Sequence, residues 1–442
     1  MTDENLQIAE QIVAEAKKLG ADFADAFVGQ GRHISVEVEN GSIRSTEASD
    51  SDTASVRVFI NGALGSVSVS GLASKGLQPG DLARQAVDMA KSADPDPDFV
   101  SLPPAEDAPE LEGLYDEALE HFAPADAVAA AGRAVDEAKE VDSSAIVMAD
   151  FGVSAGSGAI ASSLGVALSR KSSSVDYGVF VVIRRGEDVG AFYDFDAGRM
   201  LADVTLPGVA TSAAKSALGF LGARKIETRS MPVVLGPLSA YSFMKTLAGA
   251  ATAESIQRKR SYLVGKLGEK IGSERLTLVD NGLVPHGLSS GTHDGEGARR
   301  REVKIFDRGV FAAMLHNSYT ANKARAVNTG HAGRSGGISP TNVFPLLGEK
   351  TADEIIAEVD EGLYINMGSL AVNSASGDIS TSVDFGYKIE KGRLAYPVAN
   401  AMVAGHIFDV LKSIDAVSKD YRSEPGTVMP TIRIAHMDVA GG

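Results

Sequence analysis

The chain has 442 residues, 44% hydrophobic and 23% charged, the balance of a folded globular protein too long for one ordinary core. Lys plus Arg is 42 against 58 Asp plus Glu, a net charge of −16 that repels nucleic acid and anionic membranes. Cysteine is absent, which removes disulfides, thiolate nucleophiles, Fe–S clusters and Cys-bearing zinc sites together.

Residues Met1–Gly20 read as an acidic amphipathic helix with Leu6, Ile8, Ile12, Val13 and Leu19 on its apolar side. They lack the basic flank and continuous apolar stretch of a signal peptide. No segment approaches the ~18 unbroken apolar residues of a membrane span, so a cytoplasmic location is expected. Apolar alternations come next at Phe23–Gly29, His33–Asn40, Ser42–Ala48, Thr53–Ile60 and Ala63–Ser70. Asn40-Gly41 and Asn61-Gly62 stand between runs, and Asn-Gly signals a tight hairpin because both central residues take φ > 0. A helix over Asp81–Lys91 closes an N-terminal α+β domain, residues 1–93. Residues 94–109 carry five prolines among acidic residues and read as a linker or an extended strap.

The order then repeats in a central α+β domain, residues 110–224. An alanine-rich helix over Asp126–Glu140 precedes strands at Ala145–Phe151, Gly165–Lys171 and Val175–Arg184, the short stretch Ala191–Phe195, and a helix over Val209–Leu221. No residue-level identity links the halves, so duplication rests on pattern alone. Residues 225–442 form a β-rich C-terminal domain. A buried strand, Met231–Leu235, leads into a helix over Ser239–Ala253. A capped helix covers Thr351–Glu361, and strand-like runs recur at Ser380–Glu390, Arg393–Pro397 and Thr431–Asp438. Helices set beside runs of antiparallel strands define an α+β fold.

Chemistry-bearing patterns are few. Gly152-Val153-Ser154-Ala155-Gly156 matches a nucleophile elbow, but no helix start comes after it, so a Gly/Ser loop between strands is expected. Gly156–Ala161 imitates a dinucleotide fingerprint, with Asp176 near the ribose position, yet the next segments alternate with period two. Thr329–Gly337 could cradle an anion on backbone N–H groups, but lacks the Gly-Lys-Ser/Thr ending of a P-loop. Among the eight histidines, none makes a His-x-x-x-His or His-Glu-x-x-His pair. His286, His293, Asp294 and Glu296 are the only local group of ligand types. The basic runs Arg258–Arg260 and Arg299–Arg301 read as solvated faces or ion-pair partners, and no nucleic-acid partner is expected.

Three stretches of the last domain carry a resemblance. They are Gln257-Arg258-Lys259-Arg260-Ser261 with Gly268-Glu269-Lys270-Ile271; Gly287-Leu288-Ser289-Ser290 with Asp294-Gly295-Glu296-Gly297; and Thr329-Gly330-His331-Ala332-Gly333 with the closing Met429-Pro430-Thr431. Their order resembles the TldD/PmbA family, called modulators of DNA gyrase by name and metallopeptidases by chemistry, and the likeness extends over nearly the whole chain. In the TldD branch a His-Glu-x-x-x-His helix precedes the Arg-Lys segment, and a Cys near the C-terminus completes a zinc site. Those positions fall here on Thr246, Leu247 and Ala250, and there is no Cys. The resemblance therefore implies the PmbA branch, also called TldE. That is a non-catalytic subunit with no metal, cofactor or catalytic residue of its own, partnered in a heterodimer by a TldD-type chain that bears the zinc. Its substrate would be peptides or unfolded proteins. The alternative is a homo-oligomeric peptide-binding or scaffolding protein, and a homodimer of the isolated chain stays open. The helix around Tyr241, Met244, Leu247 and Ala248 reads as ordinary core.

Overall fold

The structure is a computed structural model that describes residues 3–72 and 75–442; Met1 and Thr2 of the expected first helix lie outside the described residues. The N-terminal part comprises α1 (Glu4–Lys18), β1 (Phe23–Glu39), β2 (Ser42–Ile60), β3 (Ala63–Ser70) and α2 (Pro79–Ser92). A short α3 (Glu117–Glu120) comes next, then α4 (Pro124–Val141), β4 (Ile146–Ser162), β5 (Ala167–Arg185), β6 (Asp188–Gly198) and α5 (Val209–Gly219).

These two parts share one antiparallel six-stranded sheet in the order β3-β2-β1-β4-β5-β6. The join is the pairing of β1 with β4, from Asp25↔Ser162 to Glu39↔Met148. Both expected Asn-Gly turns form, with Asn40 at φ 50° and Gly41 at 86°, and Asn61 at 50° and Gly62 at 83°. Strands that look broken in sequence are continuous. Gly29–Arg32 and Ser49–Asp52 interrupt the apolar alternation, but the ladder between β1 and β2 runs through them, because backbone pairing needs no apolar side chain. Likewise the Ala145–Phe151 run extends to Ser162, and the Gly165–Lys171 and Val175–Arg184 runs fuse into β5.

All four long helices cover one face of this sheet. Ala9, Ile12, Val13 and Ala16 of α1 join Ala83, Ala86 and Val87 of α2 over Ala24, Ala26 and Val28 of β1. Leu6, Ile8 and Leu19, expected on that apolar side, are only partly buried. Alanines of α4 and α5 lie on Val147, Phe151, Val175, Tyr177 and Val179. Small side chains let the helix backbones approach the strands, and one position in each half requires it. Gly65 is the third residue of β3 and Gly190 the third of β6. A Cβ on Gly65 would lie 2.0 Å from the Ala86 carbonyl oxygen of α2, and one on Gly190 2.0 Å from the Ala217 carbonyl oxygen of α5. The repeat thus has one residue-level signature after all. Gly190→Ala must push α5 off the sheet and is expected to lose about 1–3 kcal/mol in urea unfolding, with Gly65→Ala similar. Unchanged midpoints would show that the two helices yield freely.

Residues 94–109 run as an extended strap. Phe99 stacks on Phe59 with ring centroids 3.8 Å apart, Leu102 is buried, and Arg301 of the C-terminal part binds Glu106 at 2.7 Å.

The C-terminal part begins with β7 (Arg229–Leu235), α6 (Pro237–Ala250) and α7 (Ala253–Gln257). Next come β8 (Leu278–Asn281), β9 (Glu302–Asp307), β10 (Val310–Phe311), α8 (Ser318–Ala324), β11 (Val343–Pro345) and α9 (Ala352–Ala357). It closes with β12 (Glu361–Met367), β13 (Asp378–Val383), β14 (Phe385–Glu390), β15 (Arg393–Pro397), β16 (Ala401–His406), α10 (Ile407–Ser413), β17 (Ile414–Glu424) and β18 (Thr427–Ala440). β8 to β11 form a small sheet, and the rest a large one in which β7 and β12 pair in parallel. Phe243, Met244 and Leu247 of α6 pack into its core with Leu235, Leu363 and Ile432. The Thr351/Glu354 capping box forms as expected, but α9 stops at Ala357 because β12 begins at Glu361.

Candidate functional site

Ser154 lies in the middle of β4, paired with His33 on β1 and Ser174 on β5. His33 Nδ1 is 3.0 Å from its hydroxyl. No strained turn lifts that hydroxyl, and strands on both sides occupy the local N–H groups, so no oxyanion hole exists there. The expected Gly/Ser loop is a strand. Gly156–Ala161 is part of the same strand, which removes the dinucleotide reading as well. The glycines have another use. A Cβ on Gly152 would stand 2.6 Å from the Asp176 carboxylate, and one on Gly178 2.6 Å from that of Asp150. Those carboxylates lie flat across the sheet's polar face. Burial pushes both acids up, Asp150 further through the neighbouring Asp176 and Glu37 charges.

The positions Thr246, Leu247 and Ala250, which the resemblance sets against the metal motif of the TldD branch, lie on α6. Leu247 is fully buried in the core, neither Ala250 nor Ala251, where a six-residue motif begun at 246 ends, has a donor atom, and the Thr246 hydroxyl donates to the Ser242 carbonyl at 3.0 Å. A zinc ion does not fit this helix, because nothing on it can converge on one point. Lys245, its pKa lowered by burial, instead reaches the Thr341 carbonyl at 3.2 Å.

The His286/His293 group is dispersed among separate partners. His286 Nδ1 meets Asp203 at 3.1 Å, and Thr292 Oγ1 meets His293 Nδ1 at 2.9 Å. Asp294 accepts the N–H groups of Glu296, Ala298 and Ala332 at 2.9, 3.0 and 2.9 Å. Glu296 accepts from Arg57 and from the Ser318 hydroxyl. Among the described residues, no three of His, Asp or Glu group to hold a metal. In the Gly330–Gly337 loop, the N–H groups of Gly330, His331, Ala332, Gly333 and Gly336 all donate within the protein, so they offer no anion cradle.

What these loops build is a cavity of about 750 Å³ between β5 and the C-terminal part. Arg170 and Lys171 enter it from β5, Arg199 from just beyond β6, and Arg300 from the C-terminal part. Ser289–Thr292, Ala332–Gly333 and Ser339–Thr341 form the opposite wall. Arg199 is clamped by four carbonyls, of Ser173, Gly287, Leu288 and Ser290. Arg300 Nε donates to the His293 carbonyl at 3.1 Å. None of the three arginines stood out in the sequence, where Arg300 was one of a basic run. In that run Arg301 does pair with an acid, Glu106, as the ion-pair reading allows.

Behind this wall, burial together with the Arg170 and Arg300 charges pushes His293 down to about 4. A histidine held below its unfolded pKa contributes stability above that unfolded value, lost as pH falls from about 6.5 toward 4. His293→Gln removes the penalty. From pH 7 to pH 4 the variant should therefore gain up to about 3 kcal/mol relative to wild type, read from urea midpoints. Parallel curves would refute this. Asp294, raised to about 6 by burial and the Glu296 charge, acts in the opposite sense: its contribution is present below about 3.8 and lost as pH rises through about 6. Both proteins share it, so it cancels in the difference.

Comparison with known proteins gives consistent matches. Residues 228–441 match a family model described as the PmbA/TldA metallopeptidase C-terminal domain, and residues 24–90 match the same family's domain 1. The chain is 27% identical over 452 aligned residues to the metalloprotease PmbA of Escherichia coli O157:H7, covering 98% of this chain and 96% of that protein. It is 28% identical to a PmbA homologue of Haemophilus influenzae, covering 96% and 94%. The crystal structure of TldE from Thermococcus kodakarensis superposes with a TM-score of 0.89 at 25% identity, over 98% of this chain and 100% of that one.

Proposed function

The chain belongs to the PmbA/TldD metallopeptidase family, and from that premise we propose that it is a PmbA/TldE-type subunit of a two-chain zinc peptidase. In this reading it holds peptide or unfolded-protein substrate in the cytoplasm while a TldD-type partner supplies the zinc. The single observation that carries it is the chemistry of α6, where Thr246 is bonded within its own helix and Leu247 and Ala250 have no donor to offer. Hydrolysis by zinc needs several ligands and a general base, and this helix provides neither.

A further feature supports it. β3 pairs with β2 only from Thr53 onward, so residues 42–51 of β2 keep an exposed outer edge, the feature that strand addition of an extended peptide requires. Among the described residues no helix is long and apolar enough to cross a membrane.

Mixing the purified chain with a TldD-type partner and an unfolded peptide tests this directly. Cleavage is expected only with both chains present. Zinc-dependent cleavage by this chain alone would overturn the reading. The competing homo-oligomeric scaffold predicts instead a size-exclusion profile that the partner leaves unchanged.

A further inference from the structure

We propose that the cavity between β5 and the C-terminal loops binds the carboxylate of an extended peptide, taken from its free C-terminus or from an Asp or Glu side chain. The proposal rests on the reading of the chain as a peptide-holding subunit and names the chemistry that it holds.

The charge distribution comes first. In a chain of net charge −16, the cavity lining carries Arg170, Lys171, Arg199 and Arg300 and, among the described residues, no carboxylate. The nearby acids are committed elsewhere: Asp294 to three backbone N–H groups, Asp280 to His331 and Thr341. Arg170 and Arg300 both feel Asp294, and Arg300 also Asp280, but neither makes an ion pair with them, and both arginines bear on Arg199 as like charges. Arg199 and Arg300 are half-buried and Arg170 is exposed on β5, and among the described residues none of the three pairs with a carboxylate, so their charges face the cavity uncompensated by an ion pair.

Rigidity comes second. The four carbonyls around Arg199 and the one on Arg300 fix both side chains, so neither can swing out to a surface acid. Arg170 makes no ion pair or side-chain hydrogen bond among the described residues, and its side chain stays open to the cavity. A planar guanidinium fork with free donors matches a carboxylate in two-point contact. An anion entering this cavity meets donors already in place, which limits the ordering cost of binding.

Shape and surroundings favour a peptide. A volume of about 750 Å³ exceeds a lone anion and suits several residues of an extended chain. The hydroxyls of Ser169, Ser172 and Thr292 offer further polar partners along the wall. A nucleotide would want a free aromatic face, but Lys171 already lies 4.7 Å over the Tyr115 ring. The acidic exterior would keep an acidic peptide off the rest of the surface and focus it here.

Binding of labelled unstructured peptides to the full chain, tracked by fluorescence anisotropy, tests the site. A peptide with a free C-terminus and one Glu is compared with its C-terminal amide and its Glu→Gln form. At least one neutralisation is expected to weaken binding about ten-fold or more, and whichever does so identifies the source of the carboxylate. Arg170→Gln should lose a similar factor for the charged peptide and nothing further for the neutralised one, and Arg170→Lys should recover part of it. Lys215→Gln, exposed on α5, should bind as wild type. Equal affinity for all three peptides, or full affinity in Arg170→Gln, would overturn the proposal. So would displacement by inorganic phosphate where acetate at equal concentration does nothing. A chain that binds acidic peptides yet supports no cleavage with any TldD-type partner would keep this site and lose the subunit reading, so the two failures are distinguishable.

Discussion

Asp25→Ala is expected to destabilise the protein by about 3–5 kcal/mol, the loss that comes from removing one partner of a buried ion network. Asp25 is fully buried on β1 and stands between two guanidiniums: Arg57 Nε at 3.1 Å and Arg334 Nη2 at 2.6 Å. Burial alone would raise its pKa, but the Arg334 and Arg57 charges outweigh it and hold the carboxyl below the usual range. Arg57 keeps Glu296 at 3.1 Å, yet Glu296 also serves Ser318 and cannot neutralise both arginines. Alanine therefore leaves an uncompensated positive charge where β1, β2 and the Arg334 loop meet. Because the folded pKa of Asp25 is depressed, its contribution is present above the unfolded value near 3.8 and is lost as pH falls below it. The wild-type advantage in urea should accordingly be full at pH 7 and shrink on strong acidification. A loss under about 1 kcal/mol at pH 7 would contradict this.

The second large effect is expected at Asp280, at the end of β8. Its carboxylate is fully buried, lies 2.9 Å from His331 Nε2, and accepts both the N–H and the hydroxyl of Thr341. A carboxylate only accepts hydrogen bonds, so the His331 proton must sit on Nε2. Asp280→Ala strands three donors in the interior and is expected to cost about 3–5 kcal/mol. The damage should be local as well as global. His331 and Thr341 delimit the loop that walls the cavity, so limited proteolysis should cut within residues 331–341 of the variant before it cuts wild type. Wild-type stability and an intact loop would show that Asp280 is not the pin.

Local chemistry was legible in the sequence wherever neighbours along the chain decide the outcome. Asn40-Gly41 and Asn61-Gly62 form their turns, Thr351 and Glu354 form their box, and Met244, Leu247 and Ala248 of α6 lie in the core as its spacing implies, although Tyr241 is half-buried outside it and Phe243 is buried there instead. The joining of two units into one sheet was not legible, because β1 meets β4 across more than a hundred residues and no local pattern specifies that partner. Gly152-x-Ser154-x-Gly156 misled for a related reason. Glycine there makes room for side chains such as Asp176 that arrive from a neighbouring strand, and spacing alone cannot separate that use from a tight turn. The His286/His293/Asp294/Glu296 group held ligand types, but His286 and Glu296 are taken by Asp203, Arg57 and Ser318 on other elements, and His293 and Asp294 by the Thr292 hydroxyl and by backbone N–H groups. The cavity arginines come from three distant segments, and each alone resembles an ordinary solvated charge. Only their convergence distinguishes them.

Metal analysis of the purified chain, dialysed and then exposed to one equivalent of zinc, tests the central claim most directly. The account predicts well under one tightly held zinc per chain and no peptide cleavage by that sample. One zinc per chain that survives dialysis, accompanied by cleavage that a chelator abolishes, would contradict it.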